Sequence, residues 1–121
     1  MSTNVLLLTP YSFKKYGGVQ SQVNLIEEYL DTHEEFKVKV FAHGKHKKLD
    51  KSLIFNIPFN SSVSSVMLFP NRKLFKQYLS WADVVHVHEP FVPILFWRLP
   101  KNIKYVFTCL LYTSDAADEF S

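Results

Sequence analysis

Two adjacent glycines, Gly17 and Gly18, stand between an apolar run and a stretch with helical spacing. The run, VLLLTP, is typical of a strand buried on both faces, so the glycines mark a junction of strand and helix. Backbone amides at such a junction, with the positive end of the helix dipole, favour a phosphate, and the missing side chains let it approach. The spacing is neither G-x-G-x-x-G nor a Walker pattern, so a plain flexible turn is an equal alternative.

His86 and His88 form the second candidate site. They lie two residues apart in the segment DVVHVHEP, so on a strand both face the same side, with Glu89 at the strand end. A His-x-His pair of this kind could bind zinc, as in metal-dependent hydrolases, although no third ligand with suitable spacing is visible. The alternative is that His86 is a core histidine and that His88 and Glu89 mark the rim of a polar cleft.

A third candidate follows the apolar segment LIFNIP. Asn60 and Ser62 offer amide and hydroxyl groups that suit a hydroxylated ligand. A polar turn without a ligand is the alternative.

Alternating strands and helices are predicted around these candidates. Val19, Val23, Ile26 and Leu30 fall on one face of a helix. A second helix is expected over residues 71–82 and a short one within 90–99; strands are expected over 4–9, 36–43, 53–58, 83–88 and 104–108. This order predicts an α/β fold, a Rossmann-like open parallel sheet with helices on both faces, whose ligands bind at the carboxyl ends of the strands.

Composition excludes several classes of function. The chain has 121 residues, 47% of them hydrophobic, and a net charge of +3, which fits one compact domain. The basic segment HGKHKKLDK, residues 43–51, reads as a solvated loop or as a contact with an anionic membrane surface, and no nucleic-acid module is legible. No leader or membrane span is visible, so the expectation is a cytoplasmic protein that can lie peripherally on the inner face of the cell membrane.

The end of the chain has a different character. CLLYTSDAADEFS, residues 109–121, looks like a translated sequencing adapter; a genuine terminal helix is the alternative. Residues 1–108 are therefore expected to form a partial domain from a longer gene, and residues 109–121 a non-native tail.

Together, the segments TPYSFKKYGGVQSQV, IPFNSSV, ADVVHVHEPFVP and YVFT resemble in order and spacing the N-terminal domain of retaining GT-B glycosyltransferases. The likeness is greatest to phosphatidylinositol mannosyltransferases. The resemblance implies two Rossmann-like domains around a cleft and transfer of a hexosyl group, with retention, from a nucleoside diphosphate sugar to a lipid or glycan acceptor. It implies no metal or other cofactor.

The resemblance also assigns roles to individual residues. It implies that the donor diphosphate lies against Gly17 and Gly18. The acceptor pocket would be lined by Tyr11, Ser12 and Gln20, with a second acceptor-side loop formed by Asn60 and Ser62. The resemblance also implies that His88 and Glu89 lie at the cleft rim.

Two departures from the family pattern bear on function. Ser65 and Met67 stand where the nearest relatives carry an arginine suited to a lipid phosphate, which weakens the phosphatidylinositol assignment. The family's catalytic histidine would fall at Leu110, inside the suspected adapter, so the chain itself is expected to be inactive. Two other interpretations remain: a complete flavodoxin-like domain that binds a phosphate ligand, and a metal hydrolase that uses His86 and His88.

Overall fold

The computed structural model describes residues 2–14, 17–59, 62–88 and 94–108, with the backbone alone at 57–59, 62–64 and 95. The strands are β1 (Thr3–Leu8), β2 (Phe36–Phe41), β3 (Ile54–Phe59), β4 (Ser62–Met67), β5 (Val84–His88) and β6 (Lys104–Thr108); the helices are α1 (Gly18–Asp31), α2 (Lys47–Asp50) and α3 (Arg72–Trp81), with a 3₁₀-helix at Ile94–Trp97. The suspected adapter, residues 109–121, lies outside the described residues.

Four strands form a parallel sheet in the order β2-β1-β5-β6. The register aligns the carboxyl ends of the strands, because Leu8 pairs with Phe41 on one side and Val87 on the other, and His88 pairs with Thr108. The predicted α/β open parallel sheet is confirmed.

Helices cover both faces of this sheet. Since side chains alternate along a strand, Leu7 points to one face, where it packs with Val19 and Val23 of α1. Leu6 points to the other face, where it belongs to a larger cluster that includes Phe75 of α3. The apolar spacing in the sequence thus identified the inner side of each helix.

The segment after α2 differs from the prediction. The sequence suggested that residues 53–58 form a third strand of the parallel sheet, ended by Pro58. Instead, β3 continues to Phe59 and pairs only with β4, in an antiparallel hairpin separate from the main sheet. Proline is tolerated in an edge strand because the missing amide need not serve a central ladder.

The basic segment is also more ordered than a solvated loop. Residues 47–50 form α2, and Leu49 is fully buried in the cluster on the α3 side. The ring nitrogen Nδ1 of His46 accepts a hydrogen bond from the Lys48 amide and caps the helix. In the described part of the chain, no helix combines the length and the apolar character that crossing a membrane would require.

Candidate ligand site at the carboxyl edge of the sheet

Several predicted site residues meet where the parallel strands end. The chain leaves β1 through Tyr11 and Ser12, leaves β2 through His43, and ends β5 at His88. The first turn of α1 lies at the same edge, because the Gln20 side chain donates a 2.9 Å hydrogen bond to the Ser12 carbonyl oxygen. This is the edge at which open parallel sheets bind ligands.

Gly17 and Gly18 form the amino end of α1, and both are exposed. Gly17 is the N-cap and is extended, with φ −159° and ψ −164°, so no left-handed conformation requires a glycine there. A Cβ atom at Gly17 would lie 3.3 Å from Gln20 Oε1. No side chain of the described residues caps this helix, and the first turn carries no acidic residue. The positive end of the helix is therefore open to an anion.

Ser12 is buried, and its hydrogen bonds join the loop after β1 to β4, to the segment after β2 and to α1. It is 1% exposed, and its amide donates to the Ser65 carbonyl oxygen at 2.8 Å. Its hydroxyl oxygen accepts from the Lys14 amide at 3.1 Å and lies 2.6 Å from His43 Nδ1. The hydroxyl group thus points into protein, and Ser12 orders the loop that carries its neighbours.

His43 is a residue that the sequence did not single out. It follows β2 and is 4% exposed. Its carbonyl oxygen accepts a 2.8 Å hydrogen bond from the Phe13 amide, so backbone and side chain both hold the loop after β1. It lies just after β2, at the edge where open parallel sheets bind ligands, and this position was the available signal.

The acceptor-side residues are only partly described. Tyr11 is half-buried and forms an isolated antiparallel bridge with Val66 of β4. This bridge places the hairpin beside the loop after β1. Ser62 opens β4, and only its backbone is described; Asn60 and Glu89 lie outside the described residues.

His86 and His88 share one side of β5, as predicted, and their rings lie 4.1 Å apart. His86 Nε2 lies 2.7 Å from Thr108 Oγ1 on β6. His88 is 1% exposed, and neither of its ring nitrogens has a hydrogen-bond partner among the described residues. Burial, with a smaller contribution from His86, lowers the pKa of His88 to about 4, and burial also lowers the pKa of His86. Both rings are therefore neutral at pH 7.

The metal-hydrolase interpretation gains no further ligand from the fold. Within residues 2–14, 17–59, 62–88 and 94–108, no three His, Cys, Asp or Glu side chains converge in a way that could hold a metal ion. The described donor set is the histidine pair alone, short of the three protein ligands that a catalytic zinc ion uses.

A groove of about 460 Å³ lies at the opposite edge of the sheet. Its walls include Ala82, just before β5, and Ile103, just before β6. Ligands of such sheets bind at the other end of the strands, so this groove is not the candidate site.

Ser65 and Met67, at which the resemblance implies an arginine, are both buried in β4. The Ser65 hydroxyl group donates to Asn56 Oδ1 at 2.6 Å, across the hairpin. Neither residue can therefore replace an arginine in contacting a phosphate.

Several known proteins that are similar to this chain have the same name. The chain is 36% identical over 99 residues to "Phosphatidyl-myo-inositol mannosyltransferase" of Mycolicibacterium smegmatis, an alignment that covers 74% of this chain and 25% of that protein. It is 33% identical over 98 residues to proteins of the same name from Mycobacterium tuberculosis and Mycobacterium bovis. Each of these alignments covers 74% of this chain and 26% of the relative. No protein-family model matches. The chain spans about a quarter of the length of these curated relatives, and over that stretch it is a homologue of the phosphatidyl-myo-inositol mannosyltransferases.

Proposed function

We propose that this chain is part of the acceptor-side, N-terminal domain of a retaining GT-B glycosyltransferase. The complete enzyme transfers a hexosyl group, with mannose as the first candidate, from a nucleoside diphosphate sugar to a lipid-linked or glycan acceptor. The name and identity of the relatives support this proposal. The structural observation that carries it is the open amino end of α1, with Gly17 and Gly18 exposed at the ligand-binding edge of a parallel sheet.

The proposed role of Gly17 and Gly18 is to hold the donor diphosphate. Departure of a nucleoside diphosphate develops negative charge on the leaving oxygens. Amide groups fixed at a helix end meet this charge without reorganising, which is how preorganised dipoles stabilise a transition state. A side chain at either position would keep the diphosphate away from the amides.

The acceptor is proposed to lie on the side of Tyr11. The bridge from Tyr11 to Val66 brings this residue against β4 of the hairpin, which supports the proposal. Asn60, which lies between β3 and β4 in sequence, and Ser62, at the start of β4, are proposed as further acceptor contacts. His88, which is buried, and Glu89 are proposed to form the rim of the cleft. Ser12 and Gln20 are proposed to complete the lining of this pocket, held together by the hydrogen bond that the Gln20 side chain donates to the Ser12 carbonyl oxygen.

A lipid acceptor would bring the protein to a membrane, and one surface is suited to anionic lipid. The groove beside α2, about 350 Å³ in volume, is lined by Lys48, Lys51 and Phe69 among others. Leu53 is 70% exposed, and its carbonyl oxygen accepts a hydrogen bond from Leu68, next to Phe69. Lysines beside exposed apolar side chains combine the two attractions that hold peripheral proteins on anionic bilayers. We therefore propose this surface, the α2–hairpin patch, as the contact with the membrane.

The test uses the full-length protein encoded by the gene that contains residues 1–108. It is incubated with a panel of radiolabelled nucleoside diphosphate hexoses and vesicles that contain phosphatidylinositol, and with soluble glycans in parallel. Label is expected in the lipid extract, and the one-bond carbon–proton coupling constant at the anomeric carbon of the product is expected to show the anomeric configuration of the donor. The proposal would be overturned if no donor gave transfer to either class of acceptor.

The 121-residue chain serves as the matched control. It is proposed to be inactive, because the position of the family's catalytic histidine falls in the suspected adapter. Transfer by the 121-residue chain alone would contradict this part of the proposal and leave the assignment of the full-length enzyme intact.

A further inference from the structure

The buried contact between His43 and Ser12 joins the end of β2 to the loop that carries the candidate site. The atoms Ser12 Oγ and His43 Nδ1 are 2.6 Å apart. The hydroxyl oxygen also accepts a hydrogen bond from the Lys14 amide, and which of Ser12 and His43 donates in their contact depends on the tautomer of the imidazole. Both partners are almost inaccessible to solvent, at 1% for Ser12 and 4% for His43.

The segment that contains His43 is itself firmly held. The Gly44 amide donates a 2.7 Å hydrogen bond to Asp50 Oδ1, and Lys14 Nζ lies 3.8 Å from the second oxygen of the same carboxylate. Gly44 has a φ of +94°, and a Cβ there would come within 3.1 Å of Phe13 and Lys14. The turn after β2 therefore packs directly against the loop after β1, with little room for a side chain at Gly44.

From these contacts we infer that His43 is a positioning residue of the proposed transfer site, which holds Ser12 so that Tyr11 and the amino end of α1 keep a fixed separation. The inference rests on the proposed function for the meaning of that separation. Its geometry stands on two hydrogen bonds alone: the one between His43 Nδ1 and the Ser12 hydroxyl group, and the one that the Gln20 side chain, in the first turn of α1, donates to the Ser12 carbonyl oxygen.

The physical consequence is a loss of alignment when His43 is replaced by an apolar residue. The Ser12 hydroxyl group then keeps one described partner, the Lys14 amide, and loses its hydrogen bond to the ring in a buried position. The loop is expected to shift or loosen, and misplacement of binding groups by a fraction of an ångström to an ångström is expensive in transfer reactions.

The experiment compares four variants of the full-length enzyme: His43→Leu, Ser12→Ala, His43→Asn and His33→Leu. Asparagine places an amide near the position of Nδ1 and can restore the contact with Ser12. His33 lies beyond the end of α1, away from the site, and is the matched control. The measurements are KM and kcat for transfer, the melting temperature, and amide hydrogen exchange of the peptide that spans residues 9–20.

For His43→Leu and Ser12→Ala we expect the KM for donor or acceptor to rise about ten- to a hundredfold at a temperature well below melting, with faster exchange in residues 9–20. His43→Asn is expected to recover most of both effects, and His33→Leu to match the wild type.

Unchanged KM and exchange in His43→Leu would overturn the inference. So would a lower melting temperature with an unchanged KM, since that result describes a purely structural contact. If the wild-type enzyme transfers no sugar, the proposed function fails, and hydrogen exchange alone decides whether His43 fixes the loop.

Discussion

The imidazole rings of His86 and His88 lie 4.1 Å apart on one side of β5, and within the part of the chain that the structure describes only His86 has a hydrogen-bond partner, Thr108. An unpartnered buried imidazole disfavours its charged form, and a second imidazole at this distance opposes protonation further. This pair therefore links the stability of the fold to pH.

We predict that the free energy of unfolding rises with pH between about 4 and 6.5. The folded pKa of His88 is about 4, below the ordinary 6.5, so in this window the unfolded chain binds more protons than the folded chain. The slope contributed by His88 is at most about 1.4 kcal/mol per pH unit, and His86 adds a contribution of the same sign. Urea unfolding at pH 4.5, 5.5, 6.5 and 7.5 measures it.

His88→Leu should reduce this slope and raise stability at low pH relative to the wild type, whereas His33→Leu should leave the slope of the wild type. A steeper loss of stability in acid for His88→Leu would show that the ring is charged or paired in the folded state.

Two glycine substitutions separate a binding role from a folding role. Gly17→Ala should change stability by less than about 1 kcal/mol, because an extended φ suits any residue and the nearest atom, Gln20 Oε1 at 3.3 Å, need shift only slightly. Gly44→Ala should cost about 1–3 kcal/mol, because φ is +94° and backbone atoms of Lys14 are close. Thermal unfolding of both variants tests this ordering.

In the full-length enzyme, Gly17→Ala is further predicted to weaken binding of a nucleoside diphosphate at least tenfold, measured by titration calorimetry with GDP, UDP and ADP. Binding as tight as that of the wild type, for whichever nucleotide binds best, would remove Gly17 from the diphosphate site.

Much of this architecture could be read from the sequence, for identifiable reasons. The run at Leu6–Leu8 and the spacing from Val19 to Leu30 report burial directly, since continuous apolar runs and a four-three-four repeat have few alternatives. The hairpin was missed because Pro58 usually ends a strand, and its tolerance depends on the edge position of β3, which is a tertiary fact. His43 was missed for a similar reason. Its proposed role depends on its contact with Ser12, 31 residues away in sequence, and no local pattern encodes that contact.

Trp97 provides a test of the larger core cluster. It is fully buried, donates a 2.7 Å hydrogen bond from Nε1 to the Leu68 carbonyl oxygen, and meets Phe75 edge to face. Trp97→Phe should destabilise the fold by about 2–4 kcal/mol, because it leaves a cavity and an unpaired carbonyl group. Phe96→Leu, at a neighbouring side chain that is 62% exposed, should cost less than about 1 kcal/mol. If both variants lost the same free energy of unfolding in urea, Trp97 would not be what holds the 3₁₀-helix Ile94–Trp97 on the core.

The α2–hairpin patch predicts how the full-length enzyme binds lipid vesicles. Lys48→Gln with Lys51→Gln should weaken partitioning onto phosphatidylserine-containing vesicles about fivefold per charge, and the loss should shrink as salt rises. Leu53→Ser with Phe69→Ser should weaken it at every salt concentration, because burial of apolar surface is not screened.

The controls for the patch carry the same chemical changes elsewhere on the fold. Lys101→Gln with Lys104→Gln removes two charges at the amino end of β6, and Leu25→Ser removes a side chain that is 64% exposed on α1. Vesicle sedimentation should show little change for either. If the controls weaken binding as much as the patch variants do, the attraction is a general effect of net charge and apolar surface, and the α2–hairpin patch has no special part in it.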